Sequence, residues 1–334
     1  MQSEVQPPIT VGGDGLAPFG SRVDGSEAPR RPRRRRRRVQ LLPYWLVLPG
    51  VLVVFGFMAY PLYRMVILAT HRTPLAGRFA PHPPAPVFVG FDNFKAVLKD
   101  HQFLDAVIRT FVFTVSAVVL SMVISLAVAL LMRRVSKPAR IVVTIALVSV
   151  WAVPTIVATQ VFSWLFDSDF GAINYILGQL PGVHMQNHSW FSSSAQGWMV
   201  ITGLVLWGAI PFLALTLYAG LTQVPAELVE AATIDGASPW QVLRNVLIPV
   251  LRPVLVITTT LSVIWDFSVF NQIYALRAAQ PETAYYTIGV YAYEVAFGRS
   301  DYNTGATISL ITMVLMLGVM IFYIRQMIRI GEAD

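Results

Sequence analysis

The 334-residue chain is 55% hydrophobic and only 13% charged, with a mean hydropathy of +0.59, whereas an average soluble domain carries roughly 25% charged residues. A soluble fold of this composition would lack the polar surface needed to cover itself, so the composition indicates a membrane protein. The chain has no cysteine, which excludes disulfides, thiolate metal sites and a cysteine nucleophile. None of the five histidines falls in a long apolar run, which excludes an intramembrane histidine proton relay.

The net charge of +7 is concentrated near the N-terminus, where eight arginines lie between Arg30 and Arg38. Because a long apolar segment follows directly, this run is interpreted as a topology signal that keeps the N-terminus in the cytoplasm. Basic runs also bind nucleic acid or anionic lipid, and an arginine-rich start resembles a signal peptide. No cleavage site is evident, so an uncleaved first span is favoured. Residues 1–40 are predicted to be a disordered, arginine-rich cytoplasmic tail.

Residues 41–330 are predicted to form an all-α transmembrane domain with six spanning helices, since about 20 apolar residues cross a bilayer. The predicted spans are Tyr44–Val66, Ala106–Met132, Ile141–Phe166, Gly197–Leu221, Val250–Leu276 and Gly305–Ile328.

Positive charges assign an orientation to these spans. They crowd the short second connection, between Arg133 and Arg140, and Arg325 and Arg329 follow the predicted last span. The first connection, of about 39 residues, also carries four basic residues, although this orientation would place it outside. Basic residues in long loops influence orientation less than those in short loops. Both termini are therefore predicted to be cytoplasmic, in a multi-pass protein of the cell membrane.

The outer connections are expected to carry some structure. Residues 74–86 are proline-rich and expected to be extended, and Phe91–Leu98 is predicted to form a short helix with Asp92 as its N-cap. In the connection Asp167–Gln196, Trp190 and Phe191 suit the membrane–water boundary, as does the nearby Trp198.

The cytoplasmic connection Thr222–Pro249 is too apolar for a plain loop and too short to span a membrane. Pro225 suits a helix start, and Asp235-Gly236 is predicted to end that helix because glycine readily adopts the left-handed conformation. Ser238 and Gln241 form a capping-box pattern for a second helix. Trp240, Leu243, Val246 and Leu247 are predicted to line its apolar face, and Pro249 to end the motif. Such a helix–turn–helix either lies on lipid or docks a cytoplasmic partner, and its periodicity does not decide between them.

The run Glu230-Ala231-Ala232, Asp235-Gly236-Ala237, Val246-x-Ile248-Pro249 resembles the EAA loop of bacterial binding-protein-dependent ABC importers. The family pattern is Glu-Ala-Ala, three residues, Gly, nine residues, Ile, one residue, Leu-Pro, and the spacing here matches it throughout. Residues 222–249 are called the EAA loop below. By resemblance, Glu230 would meet a basic group in an ATPase cleft and Gly236 would allow close backbone approach.

Further stretches are similar to the carbohydrate-uptake branch, as in maltose or glycerol-phosphate permeases. They are Phe88–Phe94, Trp164-x-Phe166 with Gly171-x-x-Asn174, and Thr287-x-Gly289-x-Tyr291. The segment Val263–Phe270 and the ending Arg329–Glu332 resemble permeases for chitobiose or related disaccharides. The resemblance covers about residues 41–330 and implies the type I importer permease fold, with a core over about 105–325.

The resemblance implies a non-catalytic pore subunit that translocates a di- or oligosaccharide. Its implied partners are a second, different permease subunit, two ATPase subunits, an extracytoplasmic sugar-binding protein and membrane lipid, without nucleic acid. The chain has no G-x-x-x-x-G-K-[ST] phosphate loop, so Mg-ATP is expected on the ATPase subunits and no cofactor or metal on this chain.

Polar and aromatic side chains within the spans are candidates for the substrate pathway. A carboxylate in a span is costly and is by default a functional candidate, and sugars are bound by aromatic faces together with planar polar groups. The alternative is that these groups hydrogen-bond neighbouring helices, which is favoured for Gln160. The candidates are Trp265, Asp266, Asn271, Gln272, Gln160 and Trp164.

Three other functions remain as rivals. A transporter driven by an ion gradient would need paired intramembrane acids or broken helices in two repeated halves, and the sequence shows a single mid-span acid. A membrane-embedded enzyme would need clustered ligands at one depth, whereas the acids Asp167, Asp169, Glu282, Glu294 and Asp301 lie in outer loops without metal-ligand spacing. An ABC permease for a non-sugar solute would share the same fold.

Overall fold

The computed structural model describes residues 42–73, 85–277 and 282–331, so the predicted tail and most of the predicted extended stretch 74–86 lie outside it. The α-helices are α1 (Leu42–Thr70), α2 (Asp92–Lys99), α3 (His101–Arg134), α4 (Lys137–Trp151), α5 (Thr155–Leu165), α6 (Ala172–Gly178), α7 (Ser194–Thr222), α8 (Ala226–Ile234), α9 (Pro239–Val242), α10 (Ile248–Phe267), α11 (Asn271–Arg277), α12 (Ile288–Tyr293) and α13 (Tyr302–Gly331). Short π-helical turns cover Leu243–Leu247 and Glu294–Gly298, and a 3-10 turn covers Thr283–Tyr285. Two antiparallel strands, β1 (His71–Arg72) and β2 (Val87–Phe88), pair His71 with Phe88.

The described residues confirm a helical membrane protein and correct the individual spans. Five helices are long and apolar enough to cross a membrane, and α4 with α5 makes a sixth span only if the bent pair is counted as one. The chain divides after Phe55 into two compact units, and the described part of the first unit is the N-terminal half of α1. α13 continues past the candidate span Tyr302–Gln326, so Arg329 follows the span as predicted while Arg325 lies at its end.

The third predicted span, Ile141–Phe166, is not one straight helix. α4 ends at Trp151 and α5 starts after Pro154 at an angle of 101°. Proline has no N–H, and it disfavours helical geometry in the residue before it, so the chain turns here. The fifth predicted span, Val250–Leu276, is also interrupted, between Phe267 and Asn271. Here the Ser268 hydroxyl donates to the Ile264 carbonyl oxygen, 2.6 Å away.

The main core lies where α3 and α7 meet the short helices of the connections. Phe103, Ile201, Ile273, Tyr285 and Tyr291 are among its largest fully buried side chains. Large apolar side chains on α1, α3, α4 and α13 remain exposed, as expected of helices solvated by lipid. The Tyr291 hydroxyl donates to the Asp100 carboxylate, and burial together with this hydrogen bond raises the pKa of Tyr291 above its usual value.

Residues 167–193, called the distal lobe, form a small folded unit between α5 and α7. Trp190 was predicted to lie at the membrane–water boundary but is buried, and its Nε1 donates to Asn174 Oδ1 over 2.7 Å. Trp198 is likewise partly buried and donates to the Ala284 carbonyl oxygen over 3.2 Å. An indole ring packs stably in a protein core when its N–H has a hydrogen-bond partner there, so Trp190 and Trp198 contribute to the core instead.

The end of α1 is fixed by two asparagines on other helices. Asn93 of α2 is buried and donates to the carbonyl oxygens of Ala69, at 2.9 Å, and His71, at 2.8 Å. Asn303 of α13 donates to the Leu68 carbonyl oxygen at 2.9 Å. These bonds satisfy carbonyls that a helix end leaves free. The prediction that Asp92 caps α2 is wrong: Asp92 is the first helical residue, and its carboxylate pairs with Lys95 at 3.1 Å.

The contact between α7 and the 3-10 turn depends on a glycine. A β-carbon on Gly197 would lie 2.2 Å from the Tyr285 hydroxyl oxygen and 2.6 Å from the ring carbon that carries it. We expect Gly197→Ala to lower the free energy of unfolding by about 1–3 kcal/mol, because a buried ring must move. The measurement is the unfolding midpoint of the purified protein in detergent. Gly203→Ala on the same helix is the control, since its β-carbon meets open space. Equal midpoints for the two variants would contradict the packing described here.

Candidate functional site

The EAA loop is built from two short helices whose junction is fixed locally. At the end of α8, the Ala237 N–H donates to the Ala232 carbonyl oxygen at 2.9 Å and the Gly236 N–H to that of Thr233 at 3.1 Å. This is a Schellman motif, and it places Gly236 at φ +80°, in the left-handed region as predicted. The predicted capping box is confirmed: the Gln241 side chain accepts from the Ser238 N–H at 2.7 Å, and the Ser238 hydroxyl accepts from the Gln241 N–H at 3.4 Å.

The inner face of the loop is anchored on the protein's own core. Val224, Val242 and Leu247 are buried with Leu217 of α7 and Leu251 of α10. Leu243 and Val246 were predicted to lie on an apolar face that meets lipid or a partner, but they pack partly against this internal cluster instead. The second helix does not end at Pro249: α9 passes through the π-helical turn directly into α10. A π turn accommodates the missing N–H and the bulk of proline without ending the helix.

The outer face of the loop presents a ridge of apolar side chains among acids. Trp240 was predicted to share one apolar face with Leu243, Val246 and Leu247, but it is 65% exposed while those three pack inward. Ile234 at the end of α8 is 85% exposed. Of the residues matched to the EAA pattern, Glu230, Ala231, Asp235, Gly236 and Pro249 are exposed, while Ala232 and Ala237 are half-buried. The ridge is thus a preformed, acidic and apolar surface that the chain itself leaves uncovered.

A cleft of ≈ 470 Å³ lies beside the two helix breaks. Four of the predicted pathway residues line it: Trp265, Asp266, Asn271 and Gln272. Irregular backbone within a membrane is tolerated where it lines a cavity, and both breaks contribute to this wall. The predicted candidates Gln160 and Trp164 do not line the cleft; they are exposed one turn apart on α5.

Aromatic rings form one wall of the cleft. Trp265 meets Phe212 edge-on, with ring centroids 5.3 Å apart, and Phe212 stacks on Trp151 at 5.8 Å. Sequence reasoning missed Trp151 and Phe212, although Pro154 was a signal that the helix breaks just after Trp151. Trp207 also lines the cleft and was missed.

Asp266 is the buried acid of this wall. Only 4% of it is exposed, and its Oδ2 has no hydrogen-bond partner among the described residues. The alternative that Asp266 bonds a neighbouring helix has no support in these contacts. A buried acceptor left unpaired costs about 1–3 kcal/mol, so a partner from outside the described residues is expected to bind this oxygen. Together, the rings and the polar groups can hold the apolar face and the hydroxyls of a small polar molecule.

Comparison with known proteins assigns this arrangement to a family. The model for "Binding-protein-dependent transport system inner membrane component" matches residues 94–330. The chain belongs to this family. Within it, the chain is 36% identical over 310 residues to the diacetylchitobiose uptake system permease protein DasB of Streptomyces coelicolor, which covers 93% of this chain and 94% of that relative. It is 32% identical to the trehalose/maltose transport system permease protein MalF of Thermococcus litoralis, over 85% of this chain and 92% of that one.

Solved structures support the permease fold. A chain from a bacterial ABC transporter involved in the import of the acidic polysaccharide alginate superposes with a TM-score of 0.71, covering 86% of this permease and 96% of that chain. At 19% sequence identity this likeness concerns the fold alone. The predicted type I ABC importer permease fold is thereby confirmed. The two helix breaks at the cleft correct the predicted third and fifth spans.

Proposed function

We propose that this permease forms part of the pore of an ATP-driven importer and that its substrate is a di- or oligosaccharide. The observation that carries this function is the cleft at the helix breaks, which combines a Trp–Phe–Trp wall with a buried carboxylate and two amides. Relatives named for diacetylchitobiose and for trehalose/maltose uptake support the substrate class.

The EAA loop is proposed to receive a separate ATPase subunit. Its inner face is occupied by internal packing, so a partner meets Ile234 and Trp240 together with three exposed acids, Glu227, Glu230 and Asp235, and one exposed cation, Arg244. Acidic side chains are repelled by an anionic membrane surface, whereas they suit a basic protein cleft. This charge favours the ATPase over the lipid interpretation. Two ATPase subunits, a second and different permease subunit and an extracytoplasmic sugar-binding protein complete the proposed complex.

The function is tested by uptake into proteoliposomes that contain the permease pair, the ATPases and the sugar-loaded binding protein. We expect uptake of labelled diacetylchitobiose or maltose that requires ATP and the binding protein and is unaffected by ionophores. Uptake that continues without ATP and collapses with ionophores would support an ion-gradient-driven transporter instead. Uptake of an amino acid in place of either sugar would support a non-sugar ABC permease.

The proposed orientation places the EAA loop and the second connection in the cytoplasm. Ser136 is exposed at the start of α4, and the chain has no native cysteine, so single cysteines report accessibility directly. We expect Ser136→Cys to resist membrane-impermeant maleimide in intact cells and to be labelled after permeabilisation. Ser189→Cys, exposed in the distal lobe, should show the opposite accessibility and be labelled in intact cells. Labelling of Ser136→Cys from outside would overturn this topology.

A further inference from the structure

The distal lobe contains a second cavity that the proposed transport cleft does not include. This distal basin has a volume of ≈ 620 Å³. Its lining includes Asp169, Phe170, Tyr175, Gln179, Gln186 and Asn187. The lobe precedes the first residue of α7, whereas the EAA loop follows its last residue, and a 29-residue helix is about 43 Å long. The basin and the EAA loop are therefore at opposite ends of α7.

Two aromatic side chains stand largely free at the basin. Phe170 is 73% exposed and Tyr175 is 72% exposed. Elsewhere in the same lobe, Trp190 and Phe191 pack into the core, so the chain does bury aromatic rings where it can. Rings left open beside carboxamide and carboxylate groups combine an apolar platform with hydrogen-bonding side chains, which is the chemistry that binds pyranose rings.

The basin is held in shape by hydrogen bonds of Asn174 and Asp167. Asn174, a buried residue of the basin lining, donates to the carbonyl oxygens of Asp167, Ser168 and His188 at 2.9–3.2 Å, and accepts from Trp190. The Asp167 carboxylate accepts from the backbone N–H groups of Asp169 and Phe170 at 2.9 and 3.1 Å, which fixes the turn that projects the Phe170 ring.

Backbone geometry adds to this rigidity. A β-carbon on Gly171 would lie 2.3 Å from the Asp167 carbonyl oxygen, so the chain passes too closely for any larger residue. Asn187 adopts φ 55°, a conformation that asparagine tolerates better than most residues. A site whose walls are fixed before binding loses little entropy when a ligand arrives. The Gly171-x-x-Asn174 motif thus serves to build the basin.

We propose that the distal basin is a second carbohydrate-binding subsite, which holds part of the saccharide outside the membrane before it enters the cleft. This inference rests on the proposed function, which places the distal lobe on the side from which the substrate arrives. Aromatic rings beside exposed carboxamide and carboxylate groups suit a hydroxylated ligand better than an apolar protein side chain. A docking surface for the binding protein, which Ile176 and Leu180 beside the basin could also form, is the competing occupant.

The test measures sugar binding, called sugar contact here, to the assembled permease–ATPase complex in nanodiscs without the binding protein. It compares the parent complex with variants of the basin. Diacetylchitobiose and maltose are the probes, and saturation-transfer NMR is the readout. We expect the Phe170→Ala/Tyr175→Ala double variant to weaken the contact about tenfold, since each ring stacks independently of the cleft. Ile176→Ala, a matched exposed neighbour outside the basin, should behave as the parent. The basin contact should also persist in Trp265→Ala, which alters only the cleft.

Transport with the loaded binding protein separates the remaining outcomes. The double variant should lower uptake at subsaturating sugar while the binding protein still stimulates the ATPase. Equal sugar contact in the parent and the double variant would overturn the subsite. Loss of binding-protein association with unchanged sugar contact would instead assign the basin to protein docking. Failure of the parent complex to respond to the binding protein at all would count against the proposed function and not against the basin.

Discussion

Gly236→Val in the EAA loop is expected to abolish transport while the permease still inserts into the membrane. The backbone at Gly236 has φ +80°, which a β-branched residue opposes at a cost of at least about 1–2 kcal/mol. A β-carbon at Gly236 would contact nothing within the chain. The expected loss of transport therefore arises from the strained backbone and from a clash with a docked partner. Since about 1.4 kcal/mol is tenfold in affinity, co-purification of the ATPase should fall about tenfold or more.

Two further variants separate the causes. Gly236→Asn adds a side chain of similar size but tolerates the left-handed conformation, so it should retain more ATPase than Gly236→Val. Glu230→Lys reverses an exposed charge that forms no described hydrogen bond or ion pair, so it should leave the unfolding midpoint unchanged and still release the ATPase. A Gly236→Val complex that keeps its ATPase, and responds to the loaded binding protein, would show that the loop is only an interfacial helix.

Asp266→Ala is expected to lower transport about tenfold while the permease becomes no less stable. The carboxylate is buried with Oδ2 unpaired, so its removal relieves a desolvation cost instead of breaking an internal bond. In transport the same oxygen is proposed to accept a hydrogen bond from a substrate hydroxyl, and leaving that hydroxyl without an acceptor in a buried site costs about 1–3 kcal/mol. Initial uptake rates and unfolding midpoints, measured on the same preparations, test both halves of this expectation.

Asp266→Asn serves as the matched control, because it keeps the shape and one acceptor oxygen but removes the charge. An intermediate transport rate for Asp266→Asn would indicate that charge and hydrogen bonding both matter. If Asp266→Ala transports normally, Asp266 is not in the pathway. If Asp266→Ala instead unfolds more readily, the carboxylate has a structural partner.

The features predicted best from the sequence are those that a few neighbouring residues determine. The end of α8 and the start of α9 involve hydrogen bonds spanning at most five residues, so Gly236, Ser238 and Gln241 were sufficient to predict them. The positions of the long helices were predictable for a similar reason, because the hydropathy of each segment by itself determines whether that segment spans the membrane.

The features that were missed depend on contacts between distant segments. The interruption at Ser268–Phe270 contains no proline or glycine, so no local signal marks it. Trp151, Phe212 and Trp265 meet only because three separate helices converge. Gln160 and Trp164 share a helical face, but spacing alone does not say which way that face points. Trp240 was misplaced because the π-helical turn after Val242 shifts the helical phase, whereas the prediction assumed one uniform period.

The continuous helical run from Pro239 to Phe267 has a mechanical consequence. It begins in the EAA loop and ends at the cleft, with no flexible linker between, so it acts as a single rod of about 40 Å. A tilt of about 10° at one end displaces the other end by about 7 Å, which is more than the rise of one helical turn, about 5.4 Å. Two features interrupt the regular hydrogen bonding of this rod: the π-helical turn at Leu243–Leu247, and Pro253, which has no N–H to donate. In the proposed importer, the stiffness of this rod would set how much of a movement at the loop is transmitted to Trp265 and Asp266.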